Sequence, residues 1–228
     1  MKRIALVSAN FGRLDPVFPL PAHPQIDGLY FVDHTVKDPG AWRIVRDNST
    51  KTGTRRKSKR YKCQIHRVDG VAAYDYIAWV DASIEIRDPS FLAEAAEYMA
   101  RADLEAAFVP HPSRATAAEE YEHLIAGLRD GVQYLVRRYG LEPLLAEREQ
   151  MRSRGYDLSA PLWAGGVWIV ANAPRVWAML DKWWHVVRRF SVVDQPALAC
   201  LVQSHGIRHT ALALNLYDNR FFRRKAHA

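Results

Sequence analysis

Cysteine is nearly missing from this chain. With two in 228 residues, Cys63 and Cys200, it has neither a disulfide framework nor a thiolate metal cluster, and one bridge is the most that folding could form. Glycine and proline are also sparse, at 12 each, which excludes collagen-like and low-complexity readings. Apolar runs such as Ile4–Val7 and Tyr76–Val80 fall far short of the length needed to cross about 30 Å of hydrocarbon. Met1-Lys2-Arg3 precedes only a brief apolar stretch with no small-residue cleavage site, so the expectation is a soluble, unprocessed chain in a reducing cytoplasm. There is no G-x-x-x-x-G-K-[ST], no G-x-G-x-x-G after the first strand, no H-E-x-x-H and no G-x-S-x-G. A P-loop ATPase, Rossmann dehydrogenase, zincin or α/β-hydrolase would each lack its own signature.

What is present suits a packed protein. Hydrophobic residues make up 49% and charged ones 25%, enough to bury a sizeable core, and one domain over residues 1–228 is the expectation. Lys and Arg outnumber Asp and Glu by 32 to 25, a formal charge of +7 that favours phosphate-rich partners. Much of the excess sits in Arg55-Arg56-Lys57-Ser58-Lys59-Arg60-Tyr61-Lys62 and in Arg220–Lys225. Taken alone, either run reads equally well as a solvated face.

Strand and helix signals alternate. Lys2–Ala9, Gly28–Asp33, Trp42–Val45, Tyr74–Asp81, Ala106–Val109 and Leu162–Val170 read as strands, and Ala82–Ile86 keeps the period of two. Tyr61–Val68, Ser90–Ala102 with Ser90 as N-cap, Ala117–Arg138, part of Leu141–Leu158, Arg175–Arg189 after Pro174, and the segment from Val193 through Val202 read as helices. The Pro16–Pro24 stretch is a surface loop. Such alternation predicts an α/β protein, a mixed sheet flanked by helices.

Ligands of open α/β sheets bind beyond the carboxyl ends of strands, so Asn10 and Asp33 are expected in one crevice. Asp81-Ala82-Ser83 closes another strand and could hold a hard divalent cation against a diphosphate; a turn or cap is the plainer reading of such an acid. In His111-Pro112-Ser113-Arg114, followed by Glu119-Glu120, the guanidinium either clamps an anion or pairs locally with the acids. Trp163 and Trp168 could wall a sugar or base, although tryptophans more often fill cores. Asp194 before Gln195 is either an N-cap or a carboxylate that takes a proton from an incoming hydroxyl. His205, His209 and His227 could each complete a metal shell.

In this order the motifs resemble a glycosyltransferase-like family of bacteria and plants, long catalogued as a domain of unknown function, with plant members in mucilage synthesis and turgor regulation. Its R-x-x-K-x-x-K segment is matched by Arg56, Lys59 and Lys62, its W-[IV]-D strand by Trp79-Val80-Asp81, its H-P-x-R by His111–Arg114 and its late D-Q by Asp194-Gln195. Ser8–Gly12 and Tyr30–Asp33 look like its opening strands, and the likeness spans nearly the whole chain. Two departures stand out. Ala115–Ala118 replaces a Cys and an aromatic, and Ser83 stands where the family has a second Asp.

The resemblance implies a GT-A-like fold, a nucleoside diphosphate sugar donor such as a UDP sugar, and Mn²⁺ or Mg²⁺. It implies that Asn10, Phe11 and Asp33 hold base and ribose, that Asp81 with Ser83 and His227 holds the cation, and that Arg56, Lys59 or Lys62 opposes the diphosphate charge. Arg114 and Glu120 would orient hydroxyls, and Asp194 would be the carboxylate at the reacting carbon. The acceptor could be a glycan, a small molecule or nucleic acid. Two competing readings are a nucleic-acid-binding module using the two basic runs and a catalytically inactive sugar-nucleotide sensor.

Overall fold

Ile4–Asn10 forms β1, buried along its whole length as a central strand covered on both faces must be. The computed structural model describes residues 2–51 and 53–225. On one side β1 pairs in parallel with β2 (Ile26–Val32), which pairs in parallel with the edge strand β3 (Trp42–Arg46). On the other it pairs in parallel with β4 (Tyr76–Val80). Beyond β4 lie β7 (Trp163–Ala171), antiparallel to both its neighbours, then β6 (Ala106–Pro110) and β8 (His209–Ala211). The result is a seven-stranded mixed sheet of order β3-β2-β1-β4-β7-β6-β8. β5 (Ile84–Ile86) pairs instead with β9 (Phe222–Arg224) in a separate two-stranded sheet.

The period of two sorts the core onto two faces. Val7, Phe31, Ile77 and Trp79 face α1 (Thr54–Cys63), α6 (Pro174–Arg189) and α7 (Gln195–Ser204). Leu6, Tyr30, Ala78 and Val80 face α2 (Ser90–Arg101) and the small sheet. A third cluster joins α3 (Ala117–Arg129), α4 (Gln133–Val136) and α5 (Leu141–Ser153) through Tyr121, Leu124, Leu135 and Leu144.

Four expectations change. The helix expected over Tyr61–Val68 begins earlier, at Thr54, takes in the basic run and ends at Cys63, with only a single 3-10 turn over Ile65–Arg67. The helix expected over Ala117–Arg138 breaks at Gly131, whose φ of +71° a residue with a side chain adopts only under strain, and Val132 is exposed, off the apolar stripe. Ser90 is not the cap of α2 but its first residue, after Pro89 at the cap position; its N–H donates to Asp88 Oδ1, two residues earlier, at 2.9 Å. Ile84–Ile86 does not extend β4, because Ile84 N–H turns back onto Asp81 O at 2.9 Å and releases the chain into the small sheet. Cys63 and Cys200 are buried free thiols. Among the described residues no helix is long and apolar enough to cross a membrane.

Candidate active site

Asp81 is fixed at the carboxyl end of β4. Its N–H donates to Gly166 O on β7 at 2.8 Å, and the Trp79 indole, two residues back and so on the same face, donates Nε1–H to Asp81 Oδ1 at 2.6 Å. Asp194 reaches the same place from another part of the chain. It stands at the N-cap position of α7, yet its side chain caps nothing; Trp183 of α6 holds its carbonyl with an Nε1–H donated over 2.9 Å. The carboxylate is turned instead toward α1, where Lys59 and Lys62, three residues apart, share one helix face. Both ammonium groups lie 2.7 Å from Asp194 Oδ2, and Lys62 Nζ is also 3.3 Å from Asp81 Oδ1.

Burial makes this cluster costly unless every charge is matched. The Lys62 side chain is 1% exposed and that of Asp194 7%. Burial alone would raise the Asp194 carboxyl, but the ammonium groups of Lys59 and Lys62 override it and hold the acid well below the usual carboxylate range. Burial pulls Lys59 the other way, and the charges of Asp194 and Asp81 win, raising its ammonium above its ordinary value. Lys62 Nζ further lies 5.8 Å from the Trp79 ring centre and 5.9 Å from that of Trp183, within reach of their negative faces.

These groups line a cleft of about 240 Å³ together with Asp15, Ser83, Tyr134, Arg138, Tyr139, Gln195 and Arg224. An adjoining hollow of about 270 Å³ shares Asp15, Ser58, Lys59, Arg138 and Tyr139 with it and adds Arg55. Gly165 and Gly166 form the β7 wall. A Cβ at Gly165 would stand 2.9 Å from Lys62 Nζ, so this glycine makes room for the ammonium; one at Gly166 would crowd Ile84 Cδ1 at 3.1 Å and make only ordinary contact with Asp81 Oδ2 at 3.5 Å.

Of the expected site residues, Lys59, Lys62, Asp81, Ser83 and Asp194 meet in this cleft. Asn10, Phe11 and Asp33 do not line it. Asn10 is buried and its Nδ2 donates to Asp15 O at 2.5 Å; Phe11 is a core ring stacked on Tyr61; Asp33 accepts the Gly12 N–H at 2.9 Å and contacts His34 Nδ1 at 3.1 Å. They shape the turn after β1 rather than an open wall for a base. Arg56 lies outside the cleft lining, its buried Nε without a hydrogen-bond partner among the described residues. Arg114 and Glu120 are paired with each other, the local reading weighed above. Burial raises the Glu120 carboxyl against the pull of Arg114. His111 accepts the Arg114 N–H at 3.1 Å, and burial, then Arg114 and His123, push it down to about 4. Trp168 and Trp163 belong to the core, the latter stacked on Phe108. His227 lies outside the described residues.

A divalent cation would need several free oxygen donors at this point. Asp81 and Ser83 are adjacent, but among the described residues no three His, Cys, Asp or Glu side chains gather into a metal-holding group. Asp81 Oδ1 already receives an indole N–H and faces an ammonium, and Asp194 Oδ2 faces two. The described residues therefore do not fit the cation that the resemblance implied.

A larger cleft of about 600 Å³ lies on the far flank of α1, against β2 and β3, lined in part by Arg43, Arg46, Asp47, Arg60 and Tyr61. Asp47 is engaged there by the Tyr61 hydroxyl at 2.8 Å and by Lys57 at 3.1 Å. It lacks the buried, charge-matched acids of the smaller cleft, which is the better seat for chemistry. Asp15, Tyr134, Arg138 and Tyr139 were not singled out from sequence, and Arg224 only as part of the Arg220–Lys225 basic run. Asp15 and Tyr139 come from loops, Tyr134 and Arg138 from the end of the stretch read as one long helix, and Arg224 from the short strand β9. No family model matches the chain, and no curated protein matches it.

Proposed function

We propose that the protein is a glycosyltransferase of GT-A-like type that moves a sugar from a nucleoside diphosphate donor, such as a UDP sugar, to an acceptor hydroxyl. The observation that carries this reading is the convergence of Asp81 and Asp194 with Lys59 and Lys62 in one cleft at the carboxyl end of β4. Open α/β sheets bind ligands at such ends. A donor would lay its diphosphate against the ammonium groups and its nucleoside in the adjoining hollow beside Tyr139 and Arg138.

With the donor so placed, Asp194 faces the reacting carbon. Attack by the acceptor oxygen forms the new C–O bond while the bond from that carbon to the phosphate oxygen breaks, its electron pair staying on the leaving diphosphate. The hydroxyl proton passes to the Asp194 carboxylate if configuration inverts; if it is retained, Asp194 only orients the sugar. Charge grows on the departing phosphate oxygens, so fixed ammonium groups help the transition state more than the ground state.

The test is release of nucleoside diphosphate from a panel of sugar donors by the wild type and by Asp194→Asn. Release by the wild type, lost in the variant, is the expected result. No release from any donor, with or without simple sugar acceptors, would remove the transferase reading.

The nucleic-acid module finds less support, because its basic runs are largely spoken for. Lys57 and Lys62 are buried, Arg55 donates to Arg137 O at 2.9 Å, and Lys225 pairs with Glu85 at 2.9 Å.

A further inference from the structure

Resting on the transferase reading, we infer that this site grips the diphosphate with its own ammonium groups in place of a divalent cation, Lys62 and Lys59 leaving Asp194 for phosphate oxygens when the donor enters. Charge supports it first. The cleft is lined by four cationic side chains, Lys59, Lys62, Arg138 and Arg224, against three carboxylates, Asp15, Asp81 and Asp194. An arriving cation would meet a surplus of its own sign, whereas an arriving diphosphate corrects the balance.

Geometry supports it independently. A bridging cation needs free carboxylate oxygens, and the space between Asp81 and Asp194 is held by Lys62 Nζ, at 3.3 Å from one and 2.7 Å from the other. The Trp79 N–H aimed at Asp81 Oδ1 presents a partial positive charge where a metal would coordinate. Gly165 leaves the Lys62 ammonium the room it occupies, since a Cβ there would come within 2.9 Å of it. A nearly fully buried lysine is expensive to maintain, and a role as the diphosphate's counter-charge accounts for its position. The exchange also orders the reaction: once the lysines turn to phosphate, Asp194 Oδ2 is released toward an acceptor hydroxyl. The base is then exposed only when a donor is in place.

Titration calorimetry of the full chain with UDP and with inorganic pyrophosphate, in EDTA and in Mn²⁺, tests the inference. Affinity within about twofold in the two conditions is expected, with Lys62→Met weakening both ligands about tenfold or more and Mn²⁺ failing to restore them. Should Lys62→Met fail to fold, Gly165→Ala keeps every charge; its Cβ would press on the flexible end of Lys62 at 2.9 Å and make ordinary contact with Gln195 Cγ at 3.4 Å and Asp194 Oδ2 at 3.6 Å. It is expected to weaken pyrophosphate binding several-fold while its melting temperature stays near that of the wild type. Binding that appears only with Mn²⁺, or that neither variant alters, overturns the ammonium grip and leaves the transferase reading standing. Absence of binding by both ligands in both conditions, together with absence of donor turnover, overturns the two together.

Discussion

At the scale of single residues, Asp194 is an acid that gives up its usual job. Asp at a helix start ordinarily caps the first turn, but the Asp194 carboxylate is drawn away to two lysines, and the helix begins with Pro196 in its first turn, where one N–H fewer needs a partner. Asp194→Asn should therefore leave the start of α7 intact but lower overall stability by about 3 kcal/mol, because the buried lysines lose their counter-charge, while reducing transfer about 10³-fold, the range for removing a general base, with UDP affinity not weakened in calorimetry. A loss of UDP affinity in step with turnover would assign Asp194 to binding. Glu147 gives a different prediction. Fully buried and held by the Tyr121 hydroxyl at 2.9 Å, its carboxyl is pushed up to about 8 by burial. The folded state then holds a proton that the unfolded chain loses near its ordinary value. This contribution to stability is fully present below about pH 4.5 and is lost as pH rises through about 8, with a slope of at most about 1.4 kcal/mol per unit. Glu147→Gln should flatten that slope in urea titrations at pH 5, 7 and 9; an unchanged slope would show that Glu147 is ionised in the fold.

At the scale of elements, α1 connects the basic run to the chemistry. Its residues divide between two flanks, with Lys59 and Lys62 on the cleft and Lys57 against the carbonyls of Asp47 and Ser49 on the other. Spacing made this face legible in sequence, since positions 59 and 62 project together from any helix. The burial of Lys62 was not legible, because it depends on β7 offering a glycine opposite. The helix start was likewise readable at Asp194, which precedes Gln195-Pro196, and the strand end at Asp81, where apolar patterning stops at an acid. Asn10, Phe11 and Asp33 read the same way, yet a left-handed turn at Gly12 (φ +75°) directs its N–H to Asp33 and uses up that carboxylate. The Arg114–Glu120 pair ties the entry of α3 to the loop after β6, and Glu120 is buried. Arg114→Ala should destabilise by about 2 kcal/mol, discounted for the partial exposure of the arginine, and leave donor KM within about twofold. Thermal melting and steady-state kinetics check both; a raised KM at unchanged stability would return Arg114 to the site.

At the scale of the whole molecule, a seven-stranded sheet with helices on both faces brings residues 59, 81 and 194 into one cleft, a closure no local pattern in the sequence discloses. The α/β class followed from alternating strand and helix signals; the reversed direction of β7 did not, since direction is settled by the crossover rather than by the strand's own residues. In the Arg55–Lys62 run Lys57, Lys59 and Lys62 are held in internal ion pairs, so retention of single- or double-stranded nucleic acid should be weak and should vanish between about 50 and 200 mM salt, while UDP binding changes little. Tight binding of nucleic acid across that range would favour the module instead. A crystal structure with a non-hydrolysable nucleoside diphosphate sugar decides whether this cleft is the donor site. Diphosphate density is expected on Lys59 and Lys62, with the sugar carbon facing Asp194. Density in the arginine-lined cleft beside β3, or on any surface away from Asp81 and Asp194, would contradict that placement.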